Sequence, residues 1–222
     1  MCFSATGSFA VAGLILAVGA ATIGRNVHRP LRMFAAIPVL FAAQQVAEGT
    51  VWLSHDGTLP HLLQVLAVNV FLGVALAIWP TWMPLSLWMA ERNPRRRRVL
   101  GALLGLGIMV SMAALFVLTR QQATATVEGH SIRYHFAGTS DTRIKAILLV
   151  AYTLATVAPL YLSTVRLTRA IGAALLVSLL ASILIQRNVL TSVWCFFAAA
   201  ASVVILYHLE WSRRRRPHIA SA

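Results

Sequence analysis

FAAIPVLFAAQQVAEGTVWLS, residues Phe34 to Ser54, is long enough to cross a bilayer, yet it carries Gln44, Gln45 and Glu48 in its second half. At about 3.6 residues per turn, Gln44, Glu48 and Trp52 share one helical face, and Gln45 lies just under a turn before Glu48. A carboxylate at bilayer depth costs roughly 2.5–3.5 kcal/mol on insertion scales. Such a group turns to the protein interior, keeps its proton, or has a partner. The stretch therefore decides the fold class, an all-α integral membrane protein, and marks where chemistry could sit.

Outward from it, the chain repeats the same pattern. Of its 222 residues 59% are hydrophobic and 11% charged, against roughly 25% charged in a soluble domain, and the mean hydropathy is +0.75. Apolar runs longer than about 18 residues mark spans. They predict a single seven-transmembrane-helix bundle over 1–212, with spans at about 8–24, 33–54, 61–88, 99–119, 143–163, 169–186 and 190–211. Either Ser4 or Ser8 could cap the first span. Pro38 is expected to bend the second, and Pro80 the third, beside an interfacial belt of Trp79, Trp82 and Trp88. ERNPRRRR, Glu91 to Arg98, reads as the loop before span four.

Residues 120–142 form the one sizeable loop. ATATV, then Glu128-Gly129, then HSIRYHF alternate with period two and predict a short β-hairpin. On its second strand Ser131, Arg133 and His135 fall on one face, and His130, Ile132, Tyr134 and Phe136 on the other. An apolar face of that kind suits a lid resting on the bundle.

Seven spans place alternate loops on opposite sides. Fourteen of the nineteen Lys and Arg then fall on one side and five on the other. This puts the N-terminus outside, the C-terminus and the basic tail 213–222 in the cytoplasm, and the hairpin between helices 4 and 5 on the outer face. The protein is expected in the inner membrane of the cell. The net charge of +13 sits in runs such as Arg95 to Arg98 and Arg213 to Arg216, immediately beside apolar segments. Those runs suit a bilayer with anionic lipids at its cytoplasmic face and not nucleic acid. A homo-oligomer or a membrane-complex subunit stays open. The opening MCFSATGSF has no charge ahead of its apolar stretch and does not read as a signal peptide.

In that topology Glu48 lies about 9 Å below the outer end of its span, and Cys195 five residues below the outer end of span seven. Cys2 precedes span one on the same side. Glu48, Gln44, Gln45, Trp52, Trp194 and His130 could converge on an outward-facing ligand pocket, with His61 nearby. Cys2, Cys195, Glu48 and His130 could hold a metal, and thiolate favours zinc or copper. Cys2 and Cys195 could instead form a disulfide on the oxidising side, or remain two buried thiols. The Glu48 group could equally be a hydrogen-bond knot that locks helices together.

Lys145, the only lysine, opens span five, so a Schiff-base lysine in the last span is missing. No GxSxG, HExxH or phosphate-loop motif occurs.

MCFSATGSF, the QQxxEGxVWL of span two, the GHSIxY of the hairpin and the VWCFFAA of span seven together resemble a bacterial family of multi-spanning membrane proteins. That family is defined only as a domain of unknown function and is marked by its Met-Cys-Phe-Ser-Ala start. The resemblance covers the whole chain. It implies a membrane location and supplies no activity, substrate or catalytic residue. A comparison with seven-span zinc hydrolases of the alkaline-ceramidase type meets a departure: His208 stands alone on the last span, where those have paired histidines.

The leading expectation is a binding protein with a pocket at Glu48. Its rivals are a metal-dependent hydrolase or redox enzyme using Glu48 with Cys2, Cys195 and His130, a proton-coupled transporter in which Glu48 titrates, and a structural subunit.

Overall fold

A computed structural model describes residues 4–24, 31–55, 57–129, 131–135, 141–164 and 166–185. The described chain is helical apart from one two-stranded hairpin. Helix α1 is Ala5–Ile23, α2 Arg32–Ala35, α3 Ile37–His55, α4 His61–Leu72, α5 Trp79–Ala90 and α6 Pro94–Arg120. Strands β1, Thr124–Glu128, and β2, Ser131–His135, precede α7, Thr142–Leu162, and α8, Arg166–Ile185. Five helical segments are long and apolar enough to cross a membrane: α1, α2 with α3, α4 through α5, α6 and α7. The expected seventh span and the basic tail lie outside the described residues.

Local chemistry sets the ends. Ser4 caps α1, its Oγ accepting from the Gly7 N–H at 3.2 Å. Pro38 lacks an N–H and crowds the carbonyl four residues back, and the helix breaks at Ala36 into α2 and α3. The end of α3 closes in a Schellman pattern, with Gly57 at φ 74° and the Thr58 N–H on the Leu53 carbonyl.

The four arginines expected in a loop are helical. Asn93 accepts from the N–H groups of Arg95 and Arg96, and Pro94 takes the first helical position, where its missing N–H costs nothing. Helix α6 therefore starts five residues earlier than its apolar run suggests. Arg169, expected in the link before span six, is likewise inside α8.

Helices α1 and α3 pack antiparallel. A Cβ on Gly19 would meet the Val39 side chain at 2.8 Å, and one on Gly49 would meet the Phe9 ring at 2.9 Å. The buried residues of α1, Ser8, Ala12, Ile15, Gly19 and Thr22, recur at intervals of four and three. They are small or polar for the most part, while Leu14, Leu16 and Ile23 are exposed. The same inversion holds on α6 and α7, where Met109, Met112, Phe116, Ile147 and Val150 face outward and Ser111 and Thr156 are buried. Membrane helices associate through small residues in this way, because lipid tails are as apolar as leucine. Helix α3 is the central post: 67% of its apolar window is buried, against 22–44% for the other four spans.

Span three passes through a π-helical segment, Gly73–Ile78, in which the Trp79 N–H reaches back five residues to the Val74 carbonyl. Pro80, which has no N–H, would have donated to Ala75; the Tyr152 hydroxyl donates there instead, at 2.7 Å. Ser111 Oγ donates to the Ala77 carbonyl and bonds Thr81 Oγ1 at 2.8 Å.

The hairpin pairs Thr124 with His135 through Glu128 with Ser131, turning at Gly129, φ 60°. Its apolar face rests on the bundle. Ile132 is buried, Tyr134 stacks on Phe71 with ring centroids 4.5 Å apart, and Ala125 and Val127 pack beside them. Thr126 and Glu128 face away, Glu128 pairing with Arg133 at 2.7 Å. At the opposite end, Glu91 is buried and accepts from the N–H groups of Arg92 and Asn93 and of Thr164. It ties the α5–α6 link to the α7–α8 link.

Candidate functional site

Two apolar clusters divide the bundle along α3. One gathers Phe41, Ala42, Trp79, Met83 and Leu160 with neighbours toward the arginine-rich end. The other gathers Ala47, Val51, Trp52, Val68, Phe71 and Ile132 beneath the hairpin. Gln44, Gln45 and Glu48 lie between them, 2%, 2% and 1% exposed. Each is positioned by the helix itself, since a membrane-long helix fixes side-chain depth to within a fraction of its rise per residue, about 1.5 Å.

Within this layer Gln45 Nε2 donates to Glu48 Oε2 at 3.0 Å. Gln44, a turn before Glu48, reaches toward span three, where its Oε1 accepts from Trp79 Nε1 at 3.1 Å. The Trp79 ring lies against Phe41, centroids 4.2 Å apart. Trp79 is thus not part of an interfacial belt. The π segment rotates it into the core, where its N–H needs a partner. Trp82 reaches the Met33 carbonyl at 3.1 Å, and Trp88 lies under the Arg97 guanidinium at 4.2 Å.

Trp52, one turn beyond Glu48, is buried with its Nε1 unpartnered among the described residues, and so is Ser8 Oγ on α1. A buried donor without an acceptor costs about 1–3 kcal/mol, so these two atoms mark a place where the packing alone leaves polar groups unsatisfied. Asn69, the other polar group of span three, is satisfied by the Val65 carbonyl at 2.8 Å. His61 is exposed at the start of α4.

Of the residues expected at the site, the structure brings Gln44, Gln45, Glu48 and Trp52 into one buried band. Cys2, His130, Trp194 and Cys195 lie outside the described residues, and with them the metal set and the disulfide. Among the described residues no three His, Cys, Asp or Glu side chains group as metal ligands. Ser8 and Trp79 belong to the band and were not singled out for it by sequence. The small-residue rhythm of α1 could have pointed to Ser8. No spacing announces a partnership across the 35 residues between Gln44 and Trp79.

A family model described as a family of unknown function, DUF6629, matches residues 1–222. The chain belongs to that family. Neither the curated proteins nor the solved structures give a match. DUF6629 membership thus agrees with the family resemblance of the four motifs, two of which, QQxxEGxVWL and GHSIxY, fall on the polar band and on the hairpin above it.

Proposed function

We propose that this is a seven-span, single-domain protein of the inner membrane, N-terminus outside, whose polar band around Glu48 is an outward-facing binding site for a metal, a small ligand or a lipid head group beneath the hairpin. The observation that carries the reading is a carboxyl group 1% exposed between two apolar clusters, with two unpartnered buried donors, Ser8 Oγ and Trp52 Nε1, in the same region. Buried polar groups in membrane helices that serve packing alone are paired. Cys2, Cys195 and His130 would add thiolate and imidazole if the ligand is zinc or copper. The basic links and tail would lie on anionic lipid at the cytoplasmic face.

Metal analysis, an absorbance spectrum and mass spectrometry of co-purified molecules, on wild type beside Glu48→Gln, test the proposal. We expect a stoichiometric species in the wild type that is lost in the variant while the helical signal is retained. Identical, empty preparations would defeat it.

The Gln44–Trp79 bond from α3 to span three, with the Gln45–Glu48 bond inside α3 beside it, favours a second reading, a structural hydrogen-bond knot. It predicts that Glu48→Gln changes nothing beyond stability.

A further inference from the structure

Ser8 and Trp52 occupy one interface. With Gly19 against Val39 and Phe9 against Gly49, the antiparallel pairing of α1 and α3 puts Ser8 level with Gly49 and Thr50, about one turn from both Gln45 and Trp52. On α3 the buried positions Pro38, Ala42, Gln45, Gly49 and Trp52 repeat at the same four-and-three spacing as the buried face of α1. The register therefore sets Ser8 and Trp52 at neighbouring levels of the paired helices, and Ser8 Oγ and Trp52 Nε1 are both buried and both without a partner among the described residues. The indole Nε1 is a donor only, with no lone pair for a metal. A hydroxyl beside it can donate as well. Together they ask for an acceptor oxygen.

The surroundings narrow its class. The carboxyl group of Glu48 is close by on α3, and the described α1, α3 and α4 carry no Lys or Arg, which disfavours an anionic acceptor between these helices. On the α1–α3 seam itself the Phe9 ring closes on Gly49, and Trp52 belongs to the apolar cluster with Val68, Phe71 and Ile132. The outward faces of α1 and α4 are apolar too, through Leu14, Leu16, Leu62, Leu66 and Val70, so the surface flanking the seam suits contact with lipid.

We propose that the seam binds a neutral, lipid-soluble carbonyl compound whose oxygen accepts hydrogen bonds from Trp52 Nε1 and Ser8 Oγ. The proposal rests on the reading of the Glu48 band as a binding site and names its ligand class. Two sources share this chemistry, a quinone ring and the ester group of a lipid.

The test uses the full chain in nanodiscs of ether-linked phospholipid, which contribute no carbonyl. A short-chain benzoquinone and a diacylglycerol, each carbon-13 labelled at the carbonyl, are titrated separately and read by infrared spectroscopy. One of them is expected to give a saturable carbonyl band moved to lower wavenumber; which one does so identifies the source. Trp52→Phe, which keeps an aromatic ring, should remove the shift and weaken binding about tenfold, the worth of one buried hydrogen bond. Ser8→Ala should weaken it by a similar or smaller factor. Both variants should melt no lower than wild type, since each deletes a donor that the fold leaves unpaired. Absence of saturable binding by either probe overturns the proposal, and so does a shift that survives in the double variant. If neither probe binds while Glu48→Gln still sheds a metal or another species, the ligand class falls and the site stands.

Discussion

Gly107 shows how tightly this bundle is made. A Cβ there would lie 1.9 Å from the Pro80 carbonyl oxygen, which is also the carbonyl that Pro84 leaves without its helical donor. The bare Cα of Gly107 lets α6 close over that oxygen and offer it a Cα–H contact, a weak bond worth about half of an ordinary one in such interfaces. Gly105, two residues away on the same helix, would meet nothing within 4 Å. The two positions therefore separate packing from propensity. Gly105→Ala should be neutral or stabilising by up to about 1 kcal/mol, the intrinsic preference of a helix for alanine. Gly107→Ala should destabilise by about 3 kcal/mol or more, because backbone and not a flexible side chain must move. Reversible unfolding in mixed micelles measures both. Equal effects at the two sites would show that α6 does not approach Pro80 as described. At the same scale, the Gln44–Trp79 bond should show a coupling of about 0.6 kcal/mol in a cycle of Gln44→Leu and Trp79→Phe, the average for interhelical hydrogen bonds in membranes.

The elements divide into those that sequence announces and those that depend on partners far along the chain. The hairpin is legible because alternation and a Glu-Gly turn are local, and its apolar face is legible for the same reason: Ile132 and Tyr134 had to share a side. The break near Pro38 is legible because proline acts on its own backbone. The π segment is not, since its lost hydrogen bond is restored by Tyr152, some 77 positions away. Nor is the early start of α6, where a polar cap, Asn93, outweighs an unfavourable row of arginines at the positive end of the helix dipole. The π segment yields a two-step test. Tyr152→Phe strands the Ala75 carbonyl and should cost about 1–3 kcal/mol. In a Pro80→Ala background a backbone N–H is available again at that carbonyl, and the same substitution should cost distinctly less. Additive costs in the unfolding cycle would mean that Tyr152 does not stand in for the missing donor.

At the scale of the molecule, the membrane character shows in an apolar exterior: large Leu, Met, Phe and Ile side chains cover the outside, while Ser, Thr, Gln and Glu are buried among the apolar core. Composition and run length make that readable at once, because the bilayer imposes both. The band at Glu48 is readable only in part. Periodicity puts Gln44, Glu48 and Trp52 on one side of α3, whereas the contributions of Ser8 and Trp79 come from packing between helices. Orientation is carried by charge alone. Arg32, Arg92, Arg95 to Arg98 and Arg169 gather at one end of the described bundle, the only acid there being the buried Glu91, while the hairpin and the α3–α4 turn lie at the other. Juxtamembrane arginines hold to the cytoplasmic side, so single cysteines in a Cys2→Ser, Cys195→Ser background should sort by end. On intact cells an impermeant maleimide should label Thr58→Cys and Thr126→Cys, and label Arg95→Cys only after permeabilisation. Ser221→Cys decides the number of crossings. Protection in intact cells means that the apolar run 190–211 crosses and the count of spans is odd. Labelling from outside means that it does not, which would remove Cys195 and Trp194 from the outer half of a seventh span and take the thiolate away from any metal site built on Glu48.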